Sequence, residues 1–258
     1  YWIRVPLDMP LRIFIDGNLE YQFLSGSSTL FGNFAFNLHL LIVKFPLIIF
    51  DLLTGIVLAL YLPLNLRRKA LFFWMVNPMS LWATAAVGQV DIMPTFFVVL
   101  ALVLLKNGRS ELSALSLGIG GALKSFPFLL VPFLLLSAKN WVDRIKLAAL
   151  VAVPTAVSVI PYLKSPEFRH NALFAPQLDK SLYAKIPLSG GETIFITISV
   201  LVGLYLLYAL RRQKITIHNP NNLAESFLVF STVALLMILS FTHFHIQWFL
   251  WVSPFLAI

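Results

Sequence analysis

The chain of 258 residues is 59% apolar and only 12% charged, with a mean hydropathy of +0.86, outside the range of soluble globular domains. It has no cysteine, which excludes disulfides and thiolate ligands, and its five histidines show no HExxH or comparable metal-ligand spacing. A formal charge of +8 would ordinarily raise nucleic-acid binding, but the bases lie in short links between long apolar blocks, as the positive-inside rule places them in multispan membrane proteins.

The expected fold is therefore all-α, a polytopic membrane helical bundle with short, broken or paired transmembrane helices. The sequence opens at Tyr1 without a Met or a signal-like segment, so its true beginning is expected to lie further upstream. Residues 1–38 are moderately polar, with Asp8, Asp16 and Glu20 and a Gly/Ser cluster at Ser25–Ser28. They read as a loop region without a span, and residues 39–258 as a transmembrane domain of about nine short spans.

The first span runs from about His39 to Leu62 and ends at Pro63 and the basic cluster Arg67–Lys69. Lys44, near one end, is placed to snorkel. Asp51 lies near mid-span on nearly the same helical face, and a carboxylate there is expected to turn inward and be paired. Both are assigned structural intramembrane roles.

The apolar run from Ala70 to Leu105 would be about 54 Å long as one helix, against roughly 30 Å of hydrocarbon. An Asn77-Pro78 break and a Gly88-Gln89-Val90-Asp91 turn instead predict two short arms, Ala70–Ala86 and Ile92–Leu105. The next run, Leu112–Ala138, is expected to break at Lys124–Pro127, which puts Lys124 at the same end as Asp91. Leu147–Tyr162 returns to that side, residues 163–190 form a long extracytoplasmic loop, and Thr193–Leu210 and Leu223–Ser240 cross again. A last segment is expected to descend from Trp248 to Ile258, with Trp82, Tyr162, Trp248 and Trp251 as an interfacial aromatic belt. The links around Arg67–Lys69, Lys106–Arg109, Lys139–Lys146 and Arg211–Lys214 then hold eleven Lys or Arg and three acids, and are taken as cytoplasmic.

This map gathers Gln89, Asp91, Lys124, His243, His245 and Gln247 at tight turns on one side, the candidate substrate-binding residues. An amide and a carboxylate can hydrogen-bond sugar hydroxyls, or the carboxylate can hold a lysine in an internal ion pair. A lysine at the membrane edge can bind phosphate as a point charge, and the histidines can contact phosphate or move protons near neutral pH.

The blocks "KFPLIIFDLLTG" (44–55), "NPMSLWATAAVGQVD" (77–91), "GGALKSFPFLLVP" (120–132) and "FTHFHIQWFLWVSPFLAI" (241–258), in this order, resemble multispan GT-C glycosyltransferases. The likeness is greatest to the lipid-linked mannosyltransferase branch that includes the catalytic subunit of the first GPI mannosyltransferase. It implies a GT-C bundle and transfer of a hexose, mannose above all, from a polyprenyl (dolichyl) phosphate donor to a lipid or glycan acceptor outside the cytosol. It also implies membrane lipids and a small membrane subunit as partners, and an acidic general base in the first extracytoplasmic loop. Asp8, Asp16 and Glu20 are the candidates within the chain, but none has a DxD-like setting, so the base is expected before Tyr1. No metal is expected from the residues in view. The setting is a prokaryotic cell membrane, archaeal by a weak compositional tilt, or the endoplasmic reticulum of a eukaryote. A noncatalytic GT-C-like subunit and a secondary transporter are the competing functions.

Overall fold

The computed structural model describes residues 34–170, 182–212, 220–242 and 245–257. Helices dominate, and four of them are long and apolar enough to cross a membrane: residues 36–61, 64–87, 141–162 and 220–241. Shorter apolar helices, Ile92–Lys106 and Phe126–Ser137, lie between them. This is the architecture of a polytopic membrane bundle.

Helix α1 (Phe34–Tyr61) starts ahead of the expected span, so residues 34–38 are helical. Its two faces explain its orientation. Leu47, Asp51, Thr54 and Leu58 are buried, while Leu41, Phe45, Ile49, Leu52, Ile56 and Leu60 are exposed. An apolar outer stripe with the polar groups turned inward inverts the soluble pattern and suits a lipid surround. Helix α2 (Leu64–Met75) follows, and the Asn77 side chain caps the turn Pro78–Ser80 by accepting from Met79 N at 2.9 Å. The chain then winds into a π-helical segment, Leu81–Val87, that ends at Gly88.

Helix α3 (Ile92–Lys106) is the central element, buried along most of its length and packed against α1, α4 (Ser110–Leu123) and α8 (Pro220–Phe241). Two hydroxyls join α4 to α3: Ser113 Oγ donates to the Ala101 carbonyl at 2.8 Å and Ser116 Oγ to that of Phe97 at 2.7 Å. Such bonds hold helices together where lipid supplies no hydrophobic drive. On its other side α4 meets α6 (Trp141–Val159) so closely that a Cβ on Gly118 would lie 2.5 Å from the Val151 carbonyl oxygen. Between them the chain breaks after Leu123, makes a 3₁₀ turn at Phe126–Leu130, and forms α5 (Val131–Ser137).

Several expected boundaries move. The long loop contains an antiparallel hairpin, β1 (Lys185–Pro187) with β2 (Thr193–Phe195), turned by Gly190 and Gly191 at positive φ. Helix α7 (Ile196–Arg212) therefore begins after Thr193, because residues 193–195 are committed to strand pairing. The largest correction concerns the segment from Trp248. It forms a 3₁₀ helix, Ile246–Trp251, and then a short helix α9 (Ser253–Leu256). Pro254 cannot supply an N–H to a continuing helix, and Leu250, Trp251, Val252 and Phe255 are buried in the bundle.

The links alternate between two ends. At one end Lys106 Nζ donates to the Tyr61 carbonyl, Arg212 to that of Ala138, and Lys146 pairs with Glu111. At the other end Lys44 meets Ala85 and Ala86, Asp91 meets Lys124, and Ala184 N donates to the Phe241 carbonyl at 3.2 Å.

Candidate active site

The second end is built on a turn that lacks enough hydrogen bonds of its own. A helix terminus leaves carbonyls without intrahelical partners. Here the N–H groups of Gly88 and Gln89 both reach the Ala83 carbonyl, Gly88 taking the left-handed conformation (φ 77°) that this closure requires. Two further carbonyls are met from outside: Lys44 Nζ donates to Ala85 O at 3.0 Å and to Ala86 O at 2.7 Å. Lys44, near the span end as expected, thus has its ammonium at an exposed position where it caps the π segment. Its alkyl stem also lies over Gly88, 3.2 Å from where a Cβ would stand.

Asp91 follows at the N-cap of α3, where a carboxylate ordinarily accepts from first-turn N–H groups. Its side chain makes no such bond. It is 0% exposed and turns sideways, so that Oδ1 accepts from Lys124 Nζ at 2.6 Å and also from Trp251 Nε1. Oδ2 is buried and accepts no hydrogen bond among the described residues. Lys124 reaches Asp91 because the helix stops one residue before it, leaving Lys124 extended at φ −157° and ψ 143°. Its side chain remains 31% exposed. The ammonium also lies 5.3 Å from the centroid of the Trp251 ring, an added attraction for a cation.

Trp251, expected in an interfacial belt, is instead part of this site. It is buried, stacked on Phe126 at 4.4 Å and on Trp248 at 5.1 Å. With three residues per turn, a 3₁₀ helix eclipses positions i and i+3, which brings the two tryptophans of the WFLW sequence into register. His245 then meets the Trp248 ring edge-on at 5.3 Å. A run of aromatic rings thus leads from exposed His245 to buried Asp91. The i, i+3 tryptophan spacing before Pro254 was the available signal, since a buried indole must find an acceptor for its N–H.

The other candidates are less tightly joined. Gln89 and Gln247 are half-buried at the same end, and their side-chain amides make no hydrogen bond among the described residues. His243, Asp8, Asp16 and Glu20 lie outside the described residues. No group of three or more His, Cys, Asp or Glu among the described residues could hold a metal ion.

Asp51 forms a separate cluster. Ser80 Oγ lies 2.6 Å from Oδ1 and 2.7 Å from Oδ2, and Trp74 Nε1 donates to Oδ1 at 3.0 Å and to the Asp51 carbonyl at 3.1 Å. This carboxylate fastens α1 to α2 and to the turn after Asn77.

The sequence profile of glycosyltransferase family 87 matches residues 30–242. The chain belongs to that family. This makes it a membrane-embedded member of the GT-C clan. The matched part of this family 87 chain includes Asp91 and Lys124 and stops short of Trp248 and Trp251. No curated protein and no solved structure matches the chain.

Proposed function

We propose that this chain transfers a hexose, mannose first, from a polyprenyl (dolichyl) phosphate donor to a lipid or glycan acceptor on the extracytoplasmic side of a membrane. The observation that carries the reading is Lys124, a partly exposed lysine whose ammonium is fixed between a fully buried carboxylate and an indole ring at the end of an apolar bundle. A preorganised cation of this kind stabilises charge that develops on a leaving phosphate. Family membership supports glycosyl transfer in general, and the resemblance of the four sequence blocks to lipid-linked mannosyltransferases supports the donor class.

In the reaction an acceptor hydroxyl attacks the anomeric carbon, forming the new glycosidic C–O bond. The bond from that carbon to the phosphate oxygen breaks and leaves polyprenyl phosphate. An acidic base, sought among Asp8, Asp16 and Glu20 or upstream of them, takes the hydroxyl proton. Lys124 holds the phosphate, and Asp91 with Trp251 holds Lys124. Gln89, Gln247, His243 and His245 are assigned to sugar hydroxyls and phosphate oxygens. A donor anchored in lipid suits a site reached beside exposed apolar helices. The test is sugar transfer by the full-length chain from a synthetic polyprenyl-phosphate hexose, per unit of folded protein. Transfer from a nucleotide sugar in place of the lipid donor would overturn the reading.

A further inference from the structure

At the end of the bundle opposite Asp91 lies a cavity of about 710 Å³, between the α3–α4 link, the end of α5 and the first turns of α6 and α8. Its floor is apolar, formed by Leu105, Leu134, Leu147 and Leu223. Its rim is charged, with Arg109, Lys139 and Lys146 set against Glu111 and Asp143, a net positive lining. Glu111 and Asp143 sit in the first turns of α4 and α6, where negative charge is favoured by the helix dipole. Lys146 is paired with Glu111 at 2.6 Å. Arg109 and Lys139 are exposed on the rim and form no ion pair among the described residues.

Among the described residues, the unpaired charges on the rim are these two cations and one carboxylate, Asp143. The net positive rim above an apolar floor is therefore complementary to an amphiphile with an anionic head. The outside of the rim points the same way. Trp141, Val142 and Ile145 of α6 are 73%, 74% and 68% exposed, an apolar surface that reaches the level of the cavity mouth. The Arg144 guanidinium lies 4.6 Å over the Trp141 ring, a pairing suited to the headgroup zone.

We propose that this cavity binds the phosphate headgroup of an anionic membrane lipid, at a site separate from the Asp91–Lys124 pair. Arg109 and Lys139 bind the phosphate as paired donors, and the leucine floor receives the first part of the lipid's apolar body.

The test is titration of the purified full-length chain with dioleoyl phosphatidic acid, read by native mass spectrometry. Phosphatidylcholine serves as the zwitterionic control and inorganic phosphate as the soluble anion. The expected result is preference for phosphatidic acid, weakened roughly tenfold or more in the double variant Arg109→Gln/Lys139→Gln. The charge-preserving pair Arg109→Lys/Lys139→Arg should retain most of the binding, and the neutral pair should leave sugar transfer per folded molecule unchanged. Undiminished binding in the neutral pair overturns the proposal. So does equal loss in the charge-preserving pair, which would indicate packing and not charge. Inorganic phosphate binding as tightly as the lipid overturns the lipid assignment, and loss of sugar transfer in the folded neutral pair overturns the separation of the two sites.

Discussion

The indole N–H of Trp251 donates to the same carboxylate oxygen of Asp91 that holds Lys124, across 160 positions of sequence. One buried atom therefore joins the start of α3, the break after α4 and the final 3₁₀ helix. Each donor on Oδ1 makes the geometry of the other more definite, since a buried carboxylate with two directed partners has little freedom to rotate.

Trp251→Phe keeps an aromatic ring against Phe126 and Trp248 but deletes the donor. A hydrogen bond to a charged group contributes about 1.5–3 kcal/mol, so a loss of stability of that order is expected, with lower turnover per folded molecule. Trp248→Phe deletes no comparable bond to Asp91 and should cost less on both measures. Thermal unfolding and donor turnover of the two variants, measured side by side, check this; equal effects would mean that stacking and not the N–H matters.

Lys124→Met should abolish most transfer by removing the phosphate-binding charge. It also strands a buried carboxylate, for which a loss of about 3–5 kcal/mol is the usual scale, moderated here by Trp251. Lys124→Arg keeps the charge on a larger planar head and should recover part of the activity. Asp91→Asn should impair transfer by releasing Lys124. The double variant Asp91→Asn/Lys124→Met separates the roles: a purely structural pair would recover stability and turnover together, whereas a phosphate-binding lysine recovers stability alone.

Much of this end was legible because proline and glycine punctuate it. Asn77-Pro78 marks the end of α2, Gly88 the turn before α3, and Pro127 the break beside Lys124. What supports the turn was not legible. A lysine near a span end reads as snorkelling, and only the packing of α1 against residues 81–87 puts its ammonium on two orphan carbonyls. Trp251 was misplaced for a related reason: an apolar, aromatic segment of this length has no period that separates a lipid-facing span from a buried 3₁₀ coil. Asp51 was read as inward-facing and paired, but Ser80 and Trp74 could be named as its partners only from the tertiary structure.

Asp51→Asn should lower folded yield more than turnover per folded molecule. The amide is nearly isosteric and can still accept from Trp74, but it loses charge-assisted bonds to Ser80 and Trp74 that hold α1 against α2. Ser80→Ala should act in the same direction. Full yield with abolished transfer in either variant would move this cluster into the active site.

The close crossing of α4 and α6 makes a size test. Gly118→Ala drives a Cβ into the Val151 backbone, so separation of the helices and a loss of about 1–3 kcal/mol are expected. Gly203, inside α7, has nothing within 4 Å of the place its Cβ would take, and Gly203→Ala should be neutral or gain up to about 1 kcal/mol. Thermal unfolding in one detergent reads both, and a stable Gly118→Ala would refute the crossing distance.

The proposed orientation places the Lys106–Arg109 link in the cytoplasm and the hairpin loop around Ser189 outside. Gly108 lies at the same end as Pro220, 3.8 Å from its ring at a Cβ position, while Ala184 bonds to Phe241 at the opposite end. The two links must therefore face opposite sides of any membrane that the bundle crosses. Which side is which follows from the bases at Arg67–Lys69, Lys106, Arg109, Lys139 and Arg211, because positively charged links are retained in the cytoplasm. The chain has no native cysteine, so a single introduced thiol reports without background. Asn107→Cys and Ser189→Cys are both exposed positions. In intact cells an impermeant maleimide should label Ser189→Cys and spare Asn107→Cys, and permeabilisation should make the second reactive. Labelling of Asn107→Cys alone would invert the orientation and put the Asp91 end in the cytoplasm, where a donor displayed on the outer leaflet could not reach Lys124. Labelling of both in intact cells would contradict the placement of the two links at opposite ends of the bundle.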